Sequence, residues 1–136
     1  MLKKIDHVGV AVKSVQAVKE MYKTLFGLDP VFEETVAEQK VHVVGFRIGE
    51  SNIEFLEPTA PDSPIAKYLE KRGEGLHHIA LAVNDIAAVL GNMKQQGLQL
   101  IDETPRVGAE GKKIAFVHPK SLNGMLVELS EDKDEG

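Results

Sequence analysis

The chain carries the same local pattern twice, and this internal duplication limits its possible folds more than any other sequence feature. The segments Asp6–Val12 and His77–Val83 align with His7 over His78, 71 residues apart. Both segments alternate apolar and small side chains as a strand does, and the helical patterns that follow them keep the same offset. We therefore predict two similar modules related by a pseudo-twofold axis.

Each module is predicted to run in the order strand, helix, strand, strand, strand. Ser14 and Asp85 are suitable N-caps for the two helices, and Gly27 and Gly97 are suitable stops. The later strands are predicted at residues 30–32, 41–48 and 52–56 in the first module and at 98–101, 113–117 and 124–129 in the second. The expected fold class is α+β, built from two repeated βαβββ modules.

The length predicts a single domain, because 136 residues suffice for one ordinary domain and not for two of full size. We expect module one at about 4–58, a linking helix at about 62–72 and module two at about 75–131. The linking helix is marked by Pro64 at its first position. The charged residues at 130–136 are predicted to be frayed.

Composition excludes several classes of protein. Sixteen Lys and Arg against 21 Asp and Glu give a net charge of −5, which argues against a nucleic-acid partner. The absence of cysteine excludes disulfides, thiolate zinc sites and cysteine nucleophiles. No apolar run approaches the ~20 residues that span a bilayer, and the N-terminus reaches charged residues at once. These features favour a cytoplasmic protein without a membrane partner.

The two repeated histidines lie on strand faces made of small side chains. His7 shares its face with Gly9 and Ala11, and His78 shares its face with two alanines, at 80 and 82. Small side chains leave a hollow in front of each imidazole. A single histidine on a strand is most often an ordinary polar residue, but the repetition favours a functional pair.

One glutamate is repeated as well. Glu54 aligns with Glu128 at an offset of 74 residues, which differs from 71 by a short loop insertion. Each carboxylate points away from the apolar residues that flank it on its strand. Two imidazoles and two carboxylates are suitable ligands for one divalent ion, Co, Zn, Ni or Mn, with water or substrate completing the coordination. The predicted metal ligands are His7, Glu54, His78 and Glu128.

The other histidines and a group of lysines have two interpretations each. His77 is a structural residue or a partner of a ligand, His42 is exposed or lines the cavity, and His118 is expected to order its loop. The cluster of Lys112, Lys113 and Lys120 is either solvated or binds the phosphates of an anionic substrate.

The chain resembles the methylmalonyl-CoA epimerase family of the vicinal oxygen chelate superfamily. The resemblance rests on Ile5–Val12, Gly75–Val83 and His118–Ser121 with the following Gly124–Leu129, and it extends from about residue 4 to about 131. It implies mixed sheets cupped around a divalent metal, an acyl-CoA substrate and a homodimer. The predicted substrate-binding residues are Lys112, Lys120 and Ser121.

The resemblance implies that the two C2 epimers of methylmalonyl-CoA interconvert by removal and return of a proton through a metal-stabilised enolate. Glu128 is the expected base on one face, and Glu54 on the other. Some epimerases have a glutamate base at the position that is Val43 here, so Glu38, His42 or a water are the alternatives to Glu54.

Two other functions stay open on the sequence. The position of Glu54 is often Gln in the epimerases, whereas Glu there resembles glyoxalase I (lactoylglutathione lyase), which could use the same four ligands. A non-catalytic small-molecule binding protein of the same superfamily is the third possibility.

Overall fold

The structure is a computed structural model that describes residues 1–132. The predicted fraying of residues 130–136 is wrong for Ser130 and Glu131, which belong to the last strand, and residues 133–136 lie outside the described residues. Within the described residues the strands and helices are β1 Leu2–Ala11, α1 Val15–Phe26, β2 Phe32–Val36, β3 Val41–Ile48, β4 Ser51–Pro58, α2 Pro64–Arg72, β5 Gly75–Val83, α3 Ile86–Gln95, β6 Arg106–Val107, β7 Lys113–Val117 and β8 Val127–Glu131. The α+β class and the repeated βαβββ order are confirmed.

The chain divides into two compact units. The central unit is Val8–His77, and the terminal unit consists of Met1–His7 together with the chain from His78 onward. Strand β1 therefore contributes residues to both units. The prediction of a single domain with modules at about 4–58 and 75–131 stays a prediction.

In the central unit the strand order is β2–β3–β4–β1, and β3 pairs antiparallel with both β2 and β4. Helix α1 covers one face of this sheet. Its core consists of Val12, Val15, Val44, Phe46 and Phe55. The opposite face of β4 carries Asn52, Glu54 and Leu56, because side chains alternate along the strand.

In the terminal unit the order is β1–β5–β8–β7–β6. Strands β5 and β8 are parallel, whereas β7 pairs antiparallel with β8 and β6. Helix α3 packs on one face, where Val83, Leu90, Val117 and Leu129 are buried. The residues that alternate with these, including His78 and Glu128, lie on the other face.

The two module helices begin in the same way. Ser14 Oγ accepts the N–H of Ala17, and Asp85 Oδ1 accepts the N–H of Ala88, both at 3.1 Å. In addition, the first helical N–H of each helix donates to a glutamate near the end of its module's last strand, from Val15 to Glu57 and from Ile86 to Glu131, both at 2.8 Å. The duplication thus extends to the way each helix N-terminus is closed.

One predicted strand is wrong. Residues 98–101 form no strand, and only Leu100 makes an isolated bridge, to Val117. The backbone N–H groups of this segment do not bond in the regular pattern of a sheet. Gln99 N–H donates to Ser121 Oγ, and the N–H groups of residues 101 and 102 both donate to the carbonyl of Phe116. The sixth strand is instead the two-residue Arg106–Val107. Strands β2 and β8 also lie several residues later than predicted.

No helix among residues 1–132 is long and apolar enough to cross a membrane.

Candidate metal centre

Three predicted ligands of the terminal unit come together. His7 lies on β1, His78 on the adjacent β5, and Glu128 on β8, where it pairs with Ala80. The Nε2 atoms of the two histidines are 3.1 Å apart. Glu128 Oε1 lies 3.1 Å from His78 Nε2 and 3.6 Å from His7 Nε2. The three residues are 5%, 7% and 5% exposed, so the cluster is buried.

The strand register explains why these side chains can meet. Glu128 is opposite Ala80 on one side and opposite Phe116 on the other. The alanine leaves room for the carboxylate, and the Phe116 ring stands edge-on to the His78 ring with 5.5 Å between centroids. The phenyl ring therefore forms an apolar wall against one side of His78.

The geometry of the three atoms fits a divalent metal. Two Nε2 atoms and one carboxylate oxygen form a triangle with edges of 3.1, 3.1 and 3.6 Å. Its centre is about 2 Å from each corner, close to the ~2.0–2.2 Å of zinc–nitrogen and zinc–oxygen bonds. A set of two imidazoles and a carboxylate suits first-row divalent ions. His7, His78 and Glu128 could therefore hold such an ion.

Glu128 is held as a carboxylate. Burial raises its pKa, but the hydrogen bonds and the charges of His7 and His78 act in the opposite direction and lower the pKa below its ordinary value. An ionised carboxylate is the form that binds a cation and the form that can accept a proton.

His7 has a second carboxylate on its other nitrogen. His7 Nδ1 lies 2.8 Å from Asp6 Oδ2, and Asp6 Oδ1 lies 3.0 Å from Lys112 Nζ. Burial alone would raise the pKa of Asp6, but the hydrogen bond with His7 and the attraction of Lys112 lower it to about 2. Burial likewise lowers the pKa of Lys112, and the charge of Asp6 more than reverses this, so the net pKa is raised.

Sequence reasoning missed Asp6. Successive side chains of a strand normally point to opposite faces, so the residue before His7 was not expected to touch it. The available signal was the placement of an acidic residue next to an imidazole, a weak signal on its own.

Glu54, the fourth predicted ligand, lies in the central unit. It is opposite Gly45 of β3 and only 4% exposed, on the sheet face away from helix α1. Its role as a ligand stays a prediction.

The predicted substrate-binding residues have different environments. Lys112 Nζ is paired with Asp6, with Asp132 at 3.6 Å and with Glu110 at 3.9 Å. Ser121 Oγ accepts the N–H of Gln99 and donates to its carbonyl, so it fixes a loop. The side chain of Lys120 is exposed.

Two of the remaining histidines lie in the central unit. His42 binds Thr35 through Nδ1 at 2.8 Å and Glu33 through Nε2 at 2.7 Å, so both of its nitrogens are engaged. His77 stands edge-on to the ring of Tyr68.

His118 orders its loop as predicted, because its Nδ1 accepts the N–H of Lys120. Val43 is a buried hydrocarbon side chain, and Glu38, one of the alternatives for the second base, is exposed on a single 3₁₀ turn.

Known proteins are similar to this chain in sequence and fold. Residues 6–116 match the glyoxalase/bleomycin resistance protein/dioxygenase superfamily. The chain is 46% identical over 134 residues to the uncharacterized protein YqjC of Bacillus subtilis, a match that covers 98% of this chain and 96% of the relative. It is 39% identical over 129 residues to the mitochondrial methylmalonyl-CoA epimerase of Dictyostelium discoideum, covering 94% of this chain and 78% of that protein.

Among solved structures, a variant of the Streptomyces coelicolor methylmalonyl-CoA epimerase in complex with 2-nitronate-propionyl-CoA has a TM-score of 0.93 at 36% identity. That match covers 97% of this chain and 96% of the other. The chain therefore belongs to the glyoxalase/bleomycin resistance protein/dioxygenase superfamily, also called the vicinal oxygen chelate superfamily, and within it to the family of the methylmalonyl-CoA epimerases.

Proposed function

We propose that this protein is a metal-dependent epimerase that interconverts the two C2 epimers of methylmalonyl-CoA. The observation that carries the proposal is the buried triangle of His7, His78 and Glu128, in a chain 39% identical to an epimerase of that name. Several further relatives with this name, among them an ethylmalonyl-CoA/methylmalonyl-CoA epimerase of Cereibacter sphaeroides, favour this reaction over that of glyoxalase I.

The reaction requires removal of a proton from the carbon between a thioester and a carboxylate, followed by its return on the other face. A divalent ion held by the three residues would supply positive charge next to the oxygen on which negative charge develops. His7 and His78 hold their donor atoms in a site that is almost closed to bulk water, where electrostatic stabilisation is strongest.

Glu128 is our candidate for the base on one face of the substrate. A carboxylate can accept the C2 proton, and Glu128 lies beside the two imidazole nitrogens that would hold the ion. Because Oε1 faces both histidine nitrogens, we assign the proton transfer to Oε2.

Glu54 is our candidate for the base on the other face and for the fourth metal ligand. It is the counterpart of Glu128 in the sequence repeat, and it is a buried carboxylate on the face of its sheet that α1 leaves uncovered. Val43, which stands where some epimerases have a glutamate, offers no proton acceptor.

For the acyl-CoA substrate, Lys120 is the best-supported phosphate contact of the three predicted ones, because its ammonium group is exposed. Ser121 would act on the substrate indirectly, by fixing the loop that carries Lys120. We also propose the homodimer that the family resemblance implies, which light scattering on a sizing column would test.

Exchange of the C2 proton in D₂O, followed by proton NMR with metal-reconstituted protein, tests the proposed reaction. We expect exchange that disappears with EDTA and falls at least 100-fold in Glu128→Gln, because general base catalysis contributes about 10²–10⁴-fold. Glu103→Gln, which changes an exposed carboxylate, is the matched control and should keep the wild-type rate. Absence of exchange with formation of lactoylglutathione from glutathione and methylglyoxal would reassign the chain to glyoxalase I, and absence of both reactions would favour a binding protein.

A further inference from the structure

His7 of the metal centre has a buried acidic partner on its second ring nitrogen. His7 Nδ1 meets the carboxylate of Asp6 at 2.8 Å, whereas His78 packs against the Phe116 ring. Asp6 is 5% exposed and therefore close to fully buried. A buried carboxylate is retained in a fold when its charge is paired, and Lys112 provides the pairing cation.

Polar contacts link Lys112, Asp6 and His7 in series. Lys112 Nζ binds one oxygen of Asp6, the other oxygen binds His7 Nδ1, and His7 Nε2 faces the remaining ligands. Lys112 is 106 residues from Asp6 in sequence. It ends the turn of residues 108–112, in which the N–H of Gly108 donates to the carbonyl of Lys112. The loop between β6 and β7 thus reaches the metal centre through one ion pair.

The contact between Asp6 and His7 determines which nitrogen of His7 carries the proton. A carboxylate can only accept a hydrogen bond, so His7 Nδ1 must be the protonated nitrogen of the neutral ring. Nε2 then holds the lone pair, in the position where a metal ligand needs it. The same hydrogen bond fixes the rotation of the ring.

We propose that Asp6 is a positioning residue of the metal centre, and that Lys112 is the cation that holds Asp6 in place. The inference rests on the proposed function, since it concerns the same centre, and it assigns Lys112 a role other than phosphate binding. Partners of this kind on the second nitrogen of a ligand histidine change metal affinity about 10–100-fold when they are removed.

Titration of metal-free protein with Co(II), followed by the visible absorption of the bound ion, tests the proposal. We expect the Kd to rise about 10–100-fold in Asp6→Ala and several-fold in Lys112→Met. Lys113→Met is the matched control, because that ammonium is exposed and pairs with Glu131 instead, and its Kd should stay within twofold of wild type.

A second measurement distinguishes positioning from general stabilisation. In metal-free protein, at a pH where the His7 ring is neutral, ¹⁵N NMR should show His7 protonated on Nδ1 in wild type and a mixture of both tautomers in Asp6→Ala. Asp6→Leu, which keeps the volume and cannot accept a hydrogen bond, replaces the alanine variant if that variant fails to fold. Wild-type affinity and an unchanged tautomer in a folded Asp6 variant would overturn the proposal.

The two proposals can fail separately. Cobalt binding that depends on Asp6, in a protein that exchanges no C2 proton, would contradict the epimerase reaction and support the positioning role. Normal epimerase activity with an unchanged Kd for Co(II) in both Asp6 variants would support the epimerase reaction and contradict the positioning role.

Discussion

The Asp6–His7 pair of β1 and the His77–His78 pair of β5 occupy equivalent positions of the duplicated sequence, yet their surroundings differ. His7 is held by the hydrogen bond that its Nδ1–H donates to the carboxylate of the preceding residue. His78 has an aromatic wall, and the residue that precedes it contacts Tyr68 within the central unit. Duplication thus preserved the donor atoms, whereas the residue before each donor differs: Asp6 binds the imidazole of His7, and His77 packs against Tyr68.

Removal of each imidazole in turn should have the largest effect on metal binding and tests whether the two histidines are equivalent. His7→Ala and His78→Ala should each weaken Co(II) binding by more than about 100-fold, because losing a ligand has a larger effect than losing its supporting partner. Titration of both variants side by side measures the effect. A Kd that changes in one variant alone would mean that the two histidines are not equivalent ligands.

Acid titration tests how much the charge of Asp6, which His77 replaces in the other module, contributes to stability. The pKa of Asp6 is about 2 in the folded protein against an ordinary value of 3.8, so its ionised form stabilises the fold. This contribution, about 1–2 kcal/mol after allowance for solvent screening, is present above about pH 5 and is lost as the pH falls from about 4 to about 2.

Urea unfolding of metal-free protein between pH 2 and 7 measures that loss. The Asp6→Asn variant should be less stable at pH 7 and should show a flatter decline in acid. The counterpart change, His77→Asn, should keep the wild-type slope below pH 4. Equal slopes for wild type and Asp6→Asn would contradict the ion pair's contribution.

The helix caps give the smallest expected effect and the opposite lesson, because here the two modules remained alike. Ser14→Ala and Asp85→Ala should each lower the free energy of unfolding by about 1 kcal/mol. The aspartate should have the slightly larger effect because its charge also interacts with the helix dipole. Chemical denaturation of both variants tests this, and a loss above about 2 kcal/mol in one alone would show that the caps are not equivalent.

What could be predicted from the sequence was what neighbouring residues determine. The starts of all three helices were predicted correctly, since Ser14, Ser63 and Asp85 bind N–H groups only two or three residues away. The strand expected at 98–101 was wrong because its N–H groups bond to Ser121 and to the carbonyl of Phe116, which only tertiary structure brings near.

The candidate site divides along the same line. Strand parity and repetition were enough to select His7, His78 and Glu128, which the structure brings together. The Asp6–Lys112 pair could not be predicted, because it joins residues 106 positions apart through a side-chain direction that strand alternation does not favour.

The closure of the helices by Glu57 and Glu131 has a consequence for the order of events during synthesis. Each glutamate follows the helical N–H that it accepts by 42 or 45 residues, so each helix has been synthesised before its acceptor exists. The local caps, three residues from their donors, are available at once. Each nascent helix therefore starts with one closed donor and gains the second only when the last strand of its own module has been made.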